Sequence, residues 1–168
     1  MSRVGLFRGE LVETNDKGPL QTAKALGLAG EELDGVHVVR QHGLASHAPK
    51  GSHGVGLSLS GERTLTVFLG MEHQDKRPQE LKEGNTTLYD AGSNAIRMLG
   101  DDGIWHDAGD RPQKTTGKTI TVEATDTILL KVGGTTVKVR DGRVDLGGDD
   151  GTAVMTQAGP SSKVFAVI

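Results

Sequence analysis

The sequence contains no cysteine, so neither disulfide bonds nor thiolate metal sites can hold the fold. Aromatic residues make up only 3% of the 168 residues and hydrophobic residues 35%, which is little material for a self-contained core. No apolar run approaches the ~18 residues of a membrane span. The first residues, MSRVGLFRGE, lack a signal-peptide core, so we expect synthesis and folding in the cytoplasm. A net charge of −3 and a pI near 6.1 offer no broad basic surface for nucleic acid.

Glycine is abundant, and the clearest pattern in the chain lies between Thr115 and Gly151, where apolar and polar residues alternate. A period of two, β-branched residues and Gly-containing turns are typical of β-strands. The alternation begins at Thr119, slips by one residue at Gly133–Gly134 and turns at Asp141–Gly142. The apolar face is predicted to contain Ile120, Val122, Ile128, Leu130, Val132, Val137, Val139, Val144 and Leu146.

This apolar face has no helix or second apolar sheet after it that could cover it. About ten aliphatic side chains cannot close a core alone, and an open ribbon would leave unpaired edges. Three copies are the smallest number of flat ribbons that enclose an axis. We therefore predict that residues 93–168 form an intertwined triple-stranded β-helix in a homotrimer, with the nine apolar residues on its axis. A single-chain β-sandwich, with the N-terminal half as second layer, is the alternative.

The first half of the chain is predicted to form short strands as well. Residues 1–19 are interpreted as an arm. The stretch from Leu20 to Leu33 contains helix-forming residues, but Gly27 and Gly30 interrupt it, and we favour strands. Five or so short strands suggest a small closed barrel of the OB type over residues 20–92. The predicted fold class is therefore all-β: an N-terminal OB-fold barrel, or collar, followed by the trimeric spike.

Three stretches together resemble one family: GLASHAPKG (43–51), KEGNTTLYDAGSNAIRMLGDDGI (82–104) and VMTQAGPSSKVFA (154–166). The chain is similar to the Mu-like phage baseplate spike family, also called baseplate assembly protein V or the cell-puncturing tail spike. The resemblance implies a homotrimer with an OB-fold collar and a β-helix needle at the tail tip of a virion. It also implies that the collar meets a baseplate hub or tail tube protein, and that the needle pierces the host outer membrane, which it contacts transiently.

One feature departs from that family. Its spikes often end in a His-x-His apex that binds an axial iron ion, and no histidine follows His106 here. We therefore expect no cofactor and no axial metal. The hypothesis for the tip is apolar packing of Met155, Val164, Phe165 or Val167 around the axis.

Other candidate sites have simpler explanations. The histidines at 37, 42, 47 and 53 have spacings that match no common ligand pattern, and three of them fall in a Gly/Ser/Pro-rich stretch. The segments 101–103 and 149–151 (Asp-Asp-Gly) lack the alternating oxygen ligands of a calcium loop, and hairpin turns explain them. The segment 51–56 lacks the Lys-Ser/Thr ending of a phosphate loop.

No motif indicates catalysis. His106 and Asp107 are the nearest approach to an acid/base pair, but adjacent strand residues point to opposite faces. Nucleic-acid binding is not expected either, because the barrel region contains only Phe68 and Tyr89 as aromatics and no basic run.

The sequence therefore predicts a structural protein, not an enzyme: a tail-tip spike that pierces the outer membrane. The alternatives are a trimeric receptor-binding adhesin or tail fibre segment, and a type VI secretion-like spike. An adhesin would be expected to show an exposed aromatic or a specific saccharide groove, and the low aromatic content of 3% argues against it.

Overall fold

The structure, a computed structural model, describes residues 5–167 and contains only strands, short 3₁₀ turns and loops in that range. Residues 1–4 of the expected arm and Ile168 of the expected spike lie outside the described residues. The strands are β1 (Gly5–Asn15), β2 (Thr22–Leu26), β3 (Glu32–Val38), β4 (His53–Ser58), β5 (Thr66–Glu72), β6 (Thr86–Tyr89), β7 (Ala95–Met98), β8 (Ile104–Asp107), β9 (Thr127–Val132), β10 (Thr135–Arg140), β11 (Arg143–Leu146), β12 (Thr152–Thr156) and β13 (Gly159–Ala166). The all-β prediction is confirmed. No helix in this range is long and apolar enough to span a membrane.

The first five strands form a closed barrel in the order β1-β2-β3-β5-β4. All neighbours are antiparallel except β3 and β5, which pair in parallel. The predicted small closed barrel at the N-terminal end is thus confirmed. Because the barrel strands close on one another, the N-terminal half does not form the second layer of a single-chain β-sandwich, which was the alternative prediction.

The barrel begins earlier than the sequence suggested. Residues 5–15, assigned above to an arm, form β1, which pairs with both β2 and β4. The alternation in this segment is short and contains Gly9, so its strand character depends on the inward packing of Phe7 and Leu11, which are both buried. Asp34–Gly35, interpreted from its residue types as a turn within the barrel region, is a bulge inside β3, where Gly35 has a φ of +66°.

Two phenylalanines fill much of the barrel interior. Phe7 and Phe68 meet edge to face, with ring centroids 6.0 Å apart, and pack with Ala25, Leu33 and Val36. Gly9 and Gly56 lie beside these rings, where an added Cβ would overlap Phe68 and Phe7 respectively. Two glycines are therefore needed for a five-stranded barrel to enclose two large rings.

The remaining strands form two further sheets. The three-stranded sheet has the order β6-β7-β8, and the five-stranded sheet has the order β12-β13-β11-β10-β9. The chain divides into two compact units, one up to Gln113 and the other from Lys114. The first unit contains the barrel and the three-stranded sheet, and the second contains the five-stranded sheet.

One predicted strand is not present in the single chain. The segment 119–125, which alternates clearly in sequence, forms no strand, and β9 begins only at Thr127. Among the described residues, no backbone hydrogen bond involves residues 114–126. A strand requires a ladder partner for its N–H and C=O groups, and residues 5–167 of the single chain do not supply one here.

Candidate functional site

The five-stranded sheet brings most of the predicted axial residues together on one face. Residues paired directly across a ladder project to the same side of a sheet. One row contains Leu130, Val137, Leu146 and Ala166, and the next contains Ile128, Val139, Val144 and Val164. Val132 extends this face at the end of β9, opposite Thr135. We call these nine residues the C-terminal apolar face. It contains seven of the nine predicted axial residues, together with Val164 and Ala166.

This face is open to solvent in the single chain. None of the nine residues is fully buried, and Leu130 and Val132, on the edge strand β9, are the most exposed at 63% and 83%. Ile120 and Val122, the other two predicted axial residues, are exposed in the segment without strand structure. Contiguous exposed apolar surface of this kind marks an interaction site in soluble proteins.

The opposite face of the same sheet is polar and internally paired. Asp145 is fully buried and receives a hydrogen bond from Arg143 Nε, while Arg140 Nη2 lies 2.8 Å from its other oxygen. The Arg143 guanidinium also stacks over the Phe165 ring, 3.8 Å from its centroid. Lys138 contacts Asp149 at 3.0 Å.

These contacts set the ionisation of Asp145. Burial by itself raises the pKa of this carboxyl, but the hydrogen bond from Arg143 and the positive charges of Arg140 and Arg143 outweigh it, so the pKa lies below its usual value. The alternation of the sequence predicted a polar outer face but gave no sign that one of its carboxylates is buried.

The residues predicted for the apex do not all share one face. Val164 belongs to the C-terminal apolar face, whereas Phe165 lies on the polar face beneath Arg143. Met155 and Val167 are exposed. The neighbouring positions 164 and 165 point to opposite sides because they follow one another on a strand.

The three-stranded sheet carries a second exposed apolar face. The register aligns Met98 with Ile104, and Leu88 with Ile96 and His106, on one side. Leu88, Ile96, Met98 and Ile104, which we call the middle apolar face, are all exposed. This surface could not be predicted from the sequence, because strands of four residues are too short for a visible period and only the register shows which side chains share a side.

Trp105, Arg97 and Thr87 form a row on the other side of the same sheet. Asp107 is on this side too and contacts Arg97 at 3.5 Å, whereas its neighbour His106 is on the apolar side. His106 and Asp107 therefore point away from each other, as expected from their adjacent positions on a strand.

The candidate metal sites are not assembled in the structure. In the part of the chain that the structure describes, no group of three or more His, Cys, Asp or Glu residues is placed to hold a metal ion. His53, expected in a loop, begins β4 and lies 4.0 Å from Glu10. The segment 101–103 forms the turn between the paired strands β7 and β8. The segment 149–151 is not a hairpin turn, because it joins β11 to β12 and these strands do not pair.

The comparison with protein families gives one match. Residues 8–75 match the family model described as Bacteriophage Mu Gp45, N-terminal. No curated protein matches the chain. The matched segment coincides with the five-stranded barrel, from β1 to β5. Over this barrel, which is less than half of the chain, the protein is similar to the Mu-like baseplate spike family, whose proteins are structural components of the phage baseplate.

Proposed function

We propose that this protein is the central spike at the tip of a phage tail and works as a homotrimer. The observation that carries the proposal is the pair of uncovered apolar faces, one on the three-stranded sheet and one on the five-stranded sheet. Each face by itself is exposed in the single chain, and each would be covered by the same face of two further copies.

The segment 119–125 gives independent support. It has the alternation of a strand and exposed apolar residues at Ile120 and Val122, yet its backbone has no hydrogen-bond partner among the described residues. The edge strands β9 and β12 of the five-stranded sheet each have one unpaired side. In an intertwined β-helix, the segment of one copy would pair with an edge strand of a neighbouring copy. This pairing would give hydrogen-bond partners to the backbone of the segment and to the unpaired side of the edge strand.

The mechanical role follows from this assembly. Continuous backbone hydrogen bonding around an apolar interior makes a stiff needle, so force applied at the barrel reaches a narrow tip. The outward face carries Lys138, Arg140, Arg143 and Asp149, and it offers lipid no apolar band. The spike would therefore cross the host outer membrane transiently without inserting stably. The barrel would act as a collar that docks on a hub or tail tube protein.

Light scattering coupled to size-exclusion chromatography tests the assembly. We expect a mass near three times 17.7 kDa that resists dissociation by detergent. Val139→Asp or Ile128→Asp would place three charges near one axis and should abolish the trimer, and phage carrying either variant should lose infectivity. A stable, well-folded monomer of the unaltered protein, or normal trimers of both variants, would refute the proposal.

One observation favours a receptor-binding role as the second candidate. Trp105 is exposed, and it lies on the side of the three-stranded sheet opposite the middle apolar face, next to Arg97. In a trimer with that apolar face inside, Trp105 would point outward. Binding of host surface glycans by the wild-type trimer, lost in Trp105→Ala, would support the adhesin.

A further inference from the structure

The three-stranded sheet has a second side, opposite the middle apolar face. The register places six residues on it: Thr87, Tyr89, Ala95, Arg97, Trp105 and Asp107, which we call the tryptophan face. Its only aliphatic side chain, Ala95, is buried, whereas Trp105 and Tyr89 are 57% and 37% exposed. Six residues are far fewer than the roughly 20–30 that a stable protein interface uses on each side. Two exposed aromatic rings among polar groups on so small a surface indicate a site for a small ligand.

The ring of Trp105 is held in one orientation. Its indole Nε1 donates a hydrogen bond of 2.9 Å to the carbonyl oxygen of Asp102, in the turn between β7 and β8. Within residues 5–167, no aromatic or cation–π contact covers this ring. A rigid, uncovered ring loses little conformational entropy when an apolar surface stacks on it. Trp105 is therefore preorganised for stacking.

Hydrogen-bonding groups stand next to this ring. Arg97 is paired directly with Trp105 across the ladder, which places their Cβ atoms about 5 Å apart. Arg97 Nη2 lies 3.5 Å from Asp107 Oδ2, which is longer than a hydrogen bond, and both side chains are partly exposed. The guanidinium N–H groups and the carboxylate oxygen therefore keep the capacity to bond a ligand.

A sugar has the surface that this combination recognises. One face of a pyranose ring consists of apolar C–H groups that stack on an aromatic ring, and the hydroxyls at its edge both donate and accept hydrogen bonds. The charges of Arg97 and Asp107 cancel, which favours a neutral sugar over an anionic one. Tyr89 lies two strands and two residues from Trp105, about 12 Å between Cα atoms, so one oligosaccharide can contact both rings.

We propose that the tryptophan face binds neutral saccharides of the host envelope, with Trp105 as the stacking platform and Arg97 and Asp107 as the groups that bond the hydroxyls. The proposal rests on the trimeric spike proposed above, in which this face points outward, and it deepens the receptor-binding role by naming its ligand class and its site. Three such sites on one trimer bind a polysaccharide more tightly than one site does, because the second and third contacts are intramolecular. The spike thereby attaches to the envelope polysaccharide before it crosses the membrane.

The single tryptophan allows a direct test, because all indole fluorescence of the protein comes from Trp105. The full-length trimer is applied to an array of bacterial surface glycans that contains neutral and anionic saccharides. Glycans that bind are titrated in solution while the Trp105 emission and its quenching by acrylamide are measured. Calorimetry follows binding in Trp105→Ala, Trp105→Phe and Arg97→Ala. Arg77→Ala is the matched control, because it removes another partly exposed arginine from an ion pair, in the loop after β5.

We expect neutral saccharides to bind, to shift the Trp105 emission and to protect the ring from acrylamide. Affinity should fall by about tenfold or more in Trp105→Ala and Arg97→Ala, fall less in Trp105→Phe and stay unchanged in Arg77→Ala. An intact trimer that binds no neutral saccharide on the array, or binds it equally well without Trp105, overturns this proposal alone. A free trimer in which acrylamide cannot reach Trp105 also overturns this proposal alone. A monomer by light scattering overturns both this proposal and the proposed function.

Discussion

Leu129 and Leu130 give a direct test of which sheet face is covered in the assembly. They are adjacent on β9 and similarly exposed in the single chain, at 54% and 63%. Leu130 lies on the C-terminal apolar face opposite Val137, and Leu129 lies on the other face opposite Lys138. If the chain worked alone, truncating either residue to Ala would change stability by no more than about 0.5 kcal/mol.

If the chain forms a trimer, truncation of Leu130 should reduce stability much more than truncation of Leu129. Fully burying a leucine is worth about 1.5–3 kcal/mol, so covering the exposed part of Leu130 contributes about 1–2 kcal/mol per chain and about 3–6 kcal/mol per trimer. Leu130→Ala should therefore weaken trimer association and lower the denaturant midpoint, whereas Leu129→Ala should leave both nearly unchanged.

The assay is guanidinium unfolding at several protein concentrations, with light scattering to follow the oligomeric state. Because association is linked to folding, the midpoint of the wild-type protein should rise with protein concentration. Equal and small effects of the two substitutions, with midpoints independent of concentration, would show that the C-terminal apolar face is not an interface.

Further predictions concern the barrel, the buried carboxylate and the tip. Phe68→Ala removes a fully buried ring from the barrel and should cost about 3–5 kcal/mol of folding free energy in thermal or denaturant unfolding. Gly56→Ala forces a methyl group against Phe7 and should cost about 1–3 kcal/mol, and a neutral result would contradict the packing described. The pKa of Asp145 is lowered in the folded protein, so its stabilising effect should be complete above its unfolded pKa of about 3.9 and disappear as the pH falls through the lower folded value. The difference in urea midpoint between wild type and Asp145→Asn should therefore be constant near neutral pH and shrink in acid; a difference that grew in acid would be inconsistent with the lowered pKa. Elemental analysis of the purified trimer should find no stoichiometric iron, and one iron per three chains would overturn the expectation of an ion-free tip.

Local residue pattern was enough to predict the strand-rich fold. The period of two after Ile128, the glycines at 133 and 142 with positive φ, and the Asp-Gly turn at 141–142 together specify β9, β10 and β11. The short segments around Leu88, Ile96 and Ile104 were likewise recognisable as strands from their apolar centres. These features depend on residues close together in the chain, so they are visible without a partner element.

Pairing between distant residues was decided only by the tertiary structure. Residues 5–15 form a barrel strand because β2 and β4 lie on either side of them, and 119–125 forms none because no ladder partner is present among the described residues of the chain. The register alone places Phe165 beneath Arg143 and buries Asp145 between Arg140 and Arg143. Side-chain alternation determines that a face is apolar, but the identity of its neighbours depends on contacts between residues far apart in sequence, which no local pattern encodes.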